Sequence, residues 1–334
     1  MMKRYSKMLP VLLAGVLAFS LAACGNSTAT NSNQTQDQPT AAQENQKLLV
    51  YTSFYPLYWV TSQIGGEHVD VKNVVPAGVE PHDYEPTTKD IVDMSKASVF
   101  VYSGTSFEAW VEKAVSNFDK SKMAVVNVTE GIQLLEATEG LNHEGEESSA
   151  EGEAHEHEHG GLDPHVWLDP TLLKEEASKV KDALIKADQA NQTVYQQNFD
   201  KLVQELDKLD KEFQEMASKA ARKEFMVSHS AFGYLAHKYG LKQVAISGLS
   251  PSDEPSTSEL RELIEHVKEH NIKTIFFETL ASPKVAEVIA RETGAKTATL
   301  NPLEGLTEEE VKQGKDYLSV MRDNLEALRS ALQE

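Results

Sequence analysis

Histidine and carboxylate side chains, which bind divalent cations and move protons near neutral pH, recur in four short loops of this chain. These are Glu80-Pro81-His82-Asp83-Tyr84-Glu85-Pro86, Asp163-Pro164-His165-Val166-Trp167-Leu168-Asp169-Pro170, Ser228-His229-Ser230-Ala231-Phe232 and Asn301-Pro302-Leu303-Glu304-Gly305. Taken singly, each signal is weak. An isolated loop histidine is more often solvated or structural than a ligand. The frame around His165 could simply end one element and start a helix at Pro170, since proline suits the first helical position. The histidines also lack the tight spacing that makes a zinc finger legible. A fifth segment, His143 to Gly161, carries His143, His155, His157 and His159 among glutamates, with no large apolar residue before Leu162. That composition suits a loop inserted in the first half of the chain. Alternating His and Glu there is a plausible weak chelator, or else a solvated acidic insertion.

The surrounding elements decide whether the four loops can meet. Apolar runs at 48–52, 69–75, 98–102 and 124–128 read as strands, and they alternate with helical patterns at 55–64, 87–96 and 107–118. The rhythm returns with strands at 225–228, 242–245, 274–277 and 296–300, and helices at 232–239, 257–269, 283–292 and 307–332. Such alternation predicts βαβ units and a parallel sheet in each half. The fold class expected is therefore α/β, with two similar lobes of four parallel strands each. In parallel sheets ligands collect beyond the carboxyl ends of strands, where His82, His229 and Glu304 fall on this reading.

Between the halves, residues 171–221 contain no Gly or Pro. Leu202, Leu206, Leu209, Phe213, Met216 and Ala220 step by four and three, one apolar stripe of a helix. Polar residues 188–191 break the segment in two. A helix from Gln192 to Ala220 would run about 43 Å at 1.5 Å per residue, a stiff connector between lobes 48–170 and 222–334.

The amino terminus has a separate organisation. Lys3, Arg4 and Lys7 precede an apolar run, too short to span a bilayer with margin, that ends Leu21-Ala22-Ala23-Cys24. This pattern reads as a secretory signal over residues 1–23. Cys24, the single cysteine of the chain, stands where cleavage would leave it first, and Leu-Ala-Ala-Cys resembles a bacterial lipobox. Two acyl chains on that residue would hold the protein at a membrane. With the thiol capped, no disulfide can form. Residues 24–47 are polar and almost without apolar content, so they are expected to be a disordered tether. The net charge of −20 argues against a nucleic-acid partner, because no basic stripe exists to neutralise phosphates.

Together the four loops, with the Asp253-Glu254-Pro255-Ser256 segment, resemble the metal-binding lipoproteins of bacterial ABC importers, the zinc and manganese cluster of solute-binding proteins. The resemblance covers residues 48–334. It implies two α/β lobes joined by one long helix, with a metal site between the lobes. Carried onto this chain, it gives His82, His165 and His229 as metal ligands. For the fourth, Glu304 is favoured over the alternative Glu278. Manganese relatives carry a carboxylate where this chain has His229, and three imidazoles with one carboxylate suit tetrahedral Zn2+. The function implied is capture of zinc outside the cytoplasm and delivery to a membrane permease with its ATPase, by a lipid-anchored monomer. A manganese or iron importer and an adhesin-like surface lipoprotein are the alternatives. A secreted zinc hydrolase is disfavoured, because a fourth protein ligand closes the position that catalytic zinc keeps open for water.

Overall fold

The computed structural model describes residues 47–104, 106–137 and 161–333. Cys24, His143, His155, His157 and His159 lie outside the described residues. The first half contains β1 (Leu48–Thr52), α1 (Tyr55–Gly65), β2 (Val69–Asn73), α2 (Thr88–Met94), β3 (Val99–Tyr102), α3 (Val111–Val115) and β4 (Ala124–Asn127). Then come α4 (Pro170–Ala187) and α5 (Gln192–Lys219). The second half contains β5 (Glu224–His229), α6 (Gly233–Tyr239), β6 (Lys242–Ser247), α7 (Thr257–Glu269), β7 (Thr274–Phe277), α8 (Lys284–Thr293), β8 (Lys296–Thr299), α9 (Glu308–Lys312) and α10 (Tyr317–Gln333).

Each half forms a four-stranded, wholly parallel sheet, in the order β2-β1-β3-β4 and again β6-β5-β7-β8. The repeated order puts β1 and β5 at equivalent central positions, and because all strands are parallel the loops that follow them open at one end of each sheet. A parallel sheet must be covered on both faces. One continuous core does this for both lobes at once, running from Val50, Val99 and Trp167 through Leu206, Leu209 and Phe213 to Phe225, Phe276 and Leu328. The outer faces are closed separately, by Met94, Val111 and Phe118 against Phe100 in the first lobe, and by Leu263, Val267 and Ile289 against Ile275 in the second.

The long helix α5 joins the lobes. Its buried stripe of Tyr195, Leu202, Leu206, Leu209, Phe213, Met216 and Ala217 lies against α1 and α4 on one side and α6 and α10 on the other. Its 28 residues make a rod of about 42 Å at 1.5 Å per residue. The helix α4, by contrast, packs on α1, β3 and β4. The break between them comes where the Asp188 carboxylate turns back to accept from Asn191 Nδ2 and Tyr195 Oη, both at 2.7 Å.

Every expected strand forms, with ends within two residues of those expected. Two expected helices are corrected. Residues 107–118 do not form one helix but a 3-10 turn, Ser106–Glu108, followed by the short α3. Glu108 is drawn inward, and its carboxylate accepts from Ser53 Oγ, Ser103 N and Gly104 N, so the side chain ties down the turn instead of following a helical face. Residues 307–332 do not form one helix either. Gly314 sits at φ +72° and ends α9, and Asp316 and Ser319 cap α10 reciprocally. The apolar stripe belongs to α10 alone, since α9 buries no residue. Among the described residues, no helix is long and apolar enough to cross a membrane.

Candidate metal centre

Four chain segments bring their side chains to one point between the lobes. His82 comes from the loop after β2, His165 from the turn before α4, His229 from the last residue of β5 and Glu304 from the loop after β8. The Glu304 Oε1 atom lies 3.3 Å from His82 Nε2, 3.3 Å from His165 Nε2 and 3.1 Å from His229 Nε2. His165 Nε2 and His229 Nε2 are 3.3 Å apart. A tetrahedral zinc ion with ligands at about 2.0–2.1 Å has ligand atoms about 3.3 Å from one another. These four separations therefore match edges of such a tetrahedron.

Each ligand candidate is held by its own local structure. Asp163 Oδ1 accepts from the backbone N–H of His165 at 2.9 Å and lies 2.8 Å from its Nδ1. A proton on Nδ1 leaves the Nε2 lone pair facing the centre. Tyr234 Oη donates to the Asp163 carbonyl at 2.9 Å. Gly233 lies so close that a Cβ there would stand 2.3 Å from Asp163 Oδ2, so only glycine admits the carboxylate. His229 is oriented in the same way by Glu278 Oε1, 2.5 Å from Nδ1, and Glu278 also accepts from Ser228 Oγ at 2.7 Å. Glu278 thus stands behind the His229 ring, on the side away from the shared Glu304 oxygen.

The loop bearing His82 is folded by Glu80, whose carboxylate accepts from His82 N and Asp83 N at 3.0 and 3.2 Å. Gly78, at φ +79°, donates its N–H to the Leu306 carbonyl at 2.8 Å and so ties this loop to the other lobe. The Phe107 ring stands edge-on to His82 at 4.5 Å. Glu304 is placed by a loop in which Leu303 adopts φ +60°, a conformation costly for a branched side chain. It persists because its surroundings overdetermine it. Leu303 N donates to Asn301 Oδ1 at 2.7 Å, Asn324 brackets the Asn301 backbone on both sides, and Trp167 Nε1 donates to the Pro302 carbonyl at 2.8 Å. That last bond crosses from one lobe to the other.

Burial sets the electrostatics. His165, His229 and Glu304 are essentially sealed, while the His82 side chain is 10% exposed. Burial alone would push the Glu304 carboxyl up, but the imidazoles of His229, His165 and His82 outweigh it and hold the group well below its usual range. Burial likewise works against charging His229 and His165. The Glu278 and Glu304 carboxylates overcome it at His229, and Asp163 with Glu304 does so at His165, and both rings are pushed up. Three buried carboxylates around three imidazoles make a site that attracts positive charge, whether supplied by protons or by a cation.

The chain matches the family model described as the zinc-uptake complex component A, periplasmic (ZnuA), over residues 50–331. The chain belongs to this family. It is 43% identical over 332 residues to the high-affinity zinc uptake system protein ZnuA of Bacillus subtilis, covering 99% of each chain. It is 40% identical over 323 residues to the zinc-binding lipoprotein AdcA of Streptococcus pneumoniae, covering 97% of this chain and 60% of that relative. The fold is that of the Zn(II)-bound ZnuA-like domain of the same AdcA, with a TM-score of 0.72, 39% identity, and 86% of this chain and all of that domain covered.

Sequence proximity offers Asp83, Asp163 and Ser228 as acceptors for the outer ring nitrogens, and Asp163, two residues before His165, serves. The role of Glu278 behind His229 was not found, because adjacency in space across 49 residues leaves no mark in spacing. Sequence reasoning also missed Glu108 and Glu176. Both are fully buried acids, pushed up to about 7 and about 8 by desolvation.

Proposed function

We propose that this family member is an extracytoplasmic zinc-binding protein that captures Zn2+ through His82, His165, His229 and Glu304 and hands it to an ABC permease driven by its ATPase. The observation that carries this reading is the common vertex at Glu304 Oε1, with three Nε2 atoms at 3.1–3.3 Å. Four protein donors complete a tetrahedron and leave no coordination position for water, which suits carriage of the ion rather than catalysis by it. Three nitrogens and one oxygen favour zinc over the oxygen-rich sets preferred by manganese. The relatives named for zinc uptake and zinc binding support the same cargo. Residues 1–23 would serve as a signal removed before Cys24, which would carry the lipid, with residues 24–47 as the tether to a monomeric body. The histidines 143, 155, 157 and 159 would gather zinc weakly.

The decisive experiment is element analysis of protein purified without added metal, as wild type and with His82, His165 and His229 all replaced by alanine. One zinc per chain is expected in the first and none in the second, with the fold retained. Equal zinc content would overturn the assignment. Cys24→Ser should release the protein from the membrane. A variant still membrane-held after signal removal would overturn the anchor.

A further inference from the structure

A second group of metal-binding side chains lies in the C-terminal lobe, away from the cleft. His266 lies in the last turn of α7 and His270 is its C-cap, four residues on and so on the same face. Their rings stack at 3.9 Å and 24°. Glu224 begins β5, and its Oε1 atom lies 2.7 Å from His266 Nε2 and 3.0 Å from His270 Nδ1. His229 ends the same strand, so at about 3.3 Å per residue this cluster is roughly 16 Å from the cleft site. It faces outward. Glu224 and His270 border a surface recess of about 260 Å³, and the His270 side chain is 45% exposed.

We propose that Glu224, His266 and His270 form a second, exchangeable site for a divalent transition-metal ion, with zinc as its physiological class. Three features of the geometry carry it. The three donor atoms lie within 4.8 Å of one another, so small side-chain rotations bring each to about 2.0–2.2 Å from one ion. The two imidazole nitrogens converge on the same carboxylate oxygen. The neighbouring cation Lys242 approaches the other one, Oε2, at 3.5 Å, which leaves Oε1 available. Three ligands with an exposed side leave a coordination position for water, so the ion exchanges easily. Lys242, with Arg222, Lys223 and Lys273 around the recess, keeps the affinity below that of the cleft, where carboxylates stand behind the rings.

The alternative is that the cluster is only an ion pair, with histidine charges offsetting the carboxylate at a helix C-terminus. Zinc titration of the mature full-length chain by calorimetry separates the two. His266→Ala/His270→Ala should bind one zinc per chain fewer than wild type and keep the tight cleft site. His270→Ala alone, at the exposed position, should show the same loss with the least disturbance of packing. Lys242→Ala should tighten the weaker site several-fold, because a competing cation is removed, and ring signals of His266 and His270 should move with the added zinc. An unchanged number of ions in both histidine variants, or ring signals that do not respond to zinc, would overturn the proposal.

Discussion

The cleft centre and the cluster at Glu224 share one local arrangement, a carboxylate oxygen on which imidazole nitrogens converge, yet their settings differ in every other respect. In the cleft, Glu304 gathers three histidines from three separate segments, and two of the rings are backed by Asp163 and Glu278. At the surface, Glu224 gathers two histidines from the end of one helix, and its other oxygen faces Lys242 at 3.5 Å. Burial and supporting anions, more than the ligand atoms themselves, separate a site that retains an ion from one that exchanges it. A buried cluster also requires the whole fold to assemble it, whereas two histidines one helical turn apart need only the helix.

The largest effect expected from breaking this contrast is loss of a cleft ligand. Spreading the roughly 10–16 kcal/mol of a structural zinc site over four ligands leaves about 2.5–4 kcal/mol for each, a factor of about 10²–10³ in affinity. Glu304→Gln and His229→Ala should each fall in that range by competition with a chelator of known affinity. Removing the support behind a ring comes next. Asp163→Asn and Glu278→Gln should each weaken zinc binding about 10–100-fold with the stoichiometry intact, and the zinc titration that ranks them also tests Glu278 as a ligand. If Glu278→Gln is the more damaging change and Glu304→Gln binds like wild type, the fourth ligand is misassigned.

Acidity sharpens the contrast through opposite signs. In the metal-free protein His229 is raised to about 10, so the stability its protonation contributes is complete below its unfolded value of about 6.5 and is lost as the pH rises through 10. Glu304 is depressed, so its contribution is present above its unfolded value of about 4.3 and is lost as the pH falls through its folded value. Zinc must displace the protons on the rings, so its affinity should rise over the window in which metal-free stability falls. Thermal unfolding with and without zinc from pH 6 to pH 10 should show the two curves diverging. Parallel curves would contradict the proton competition. Away from both sites, Leu206→Ala in the buried stripe of α5 should cost about 2–5 kcal/mol of stability, with zinc affinity changed little at temperatures where the protein stays folded. Gly233→Ala, unlike Leu206→Ala, should weaken zinc binding by about the 10–100-fold expected for Asp163→Asn, because its Cβ would displace Asp163 from beneath His165.

Much of this is legible in the amino-acid sequence. Short apolar runs alternating with helical patterns pointed to both lobes, and the apolar stripe from Leu202 to Met216 pointed to α5. The four loops stood out by their histidines and carboxylates, three of them at strand ends, but it is the resemblance to the importer lipoproteins that implied His82, His165, His229 and Glu304 as the set. The helix over 107–118 failed because Glu108 bonds to backbone N–H groups and Ser53, a long-range contact that periodicity does not record. The helix over 307–332 failed because Gly314 adopts a left-handed turn in a segment whose flanks are both helical. The cluster of Glu224, His266 and His270 was invisible for the same reason as Glu278. Its acid arrives from a strand 42 residues before the nearer histidine.

The central claim is that three imidazoles and the Glu304 carboxylate close a tetrahedron around zinc. The X-ray absorption spectrum at the zinc edge, recorded on the one-to-one complex, tests it most directly. Four nitrogen or oxygen neighbours at about 2.0 Å are expected, with the outer-shell scattering of three imidazole rings. Five or six oxygen-rich neighbours, or the signature of only one or two rings, would contradict it.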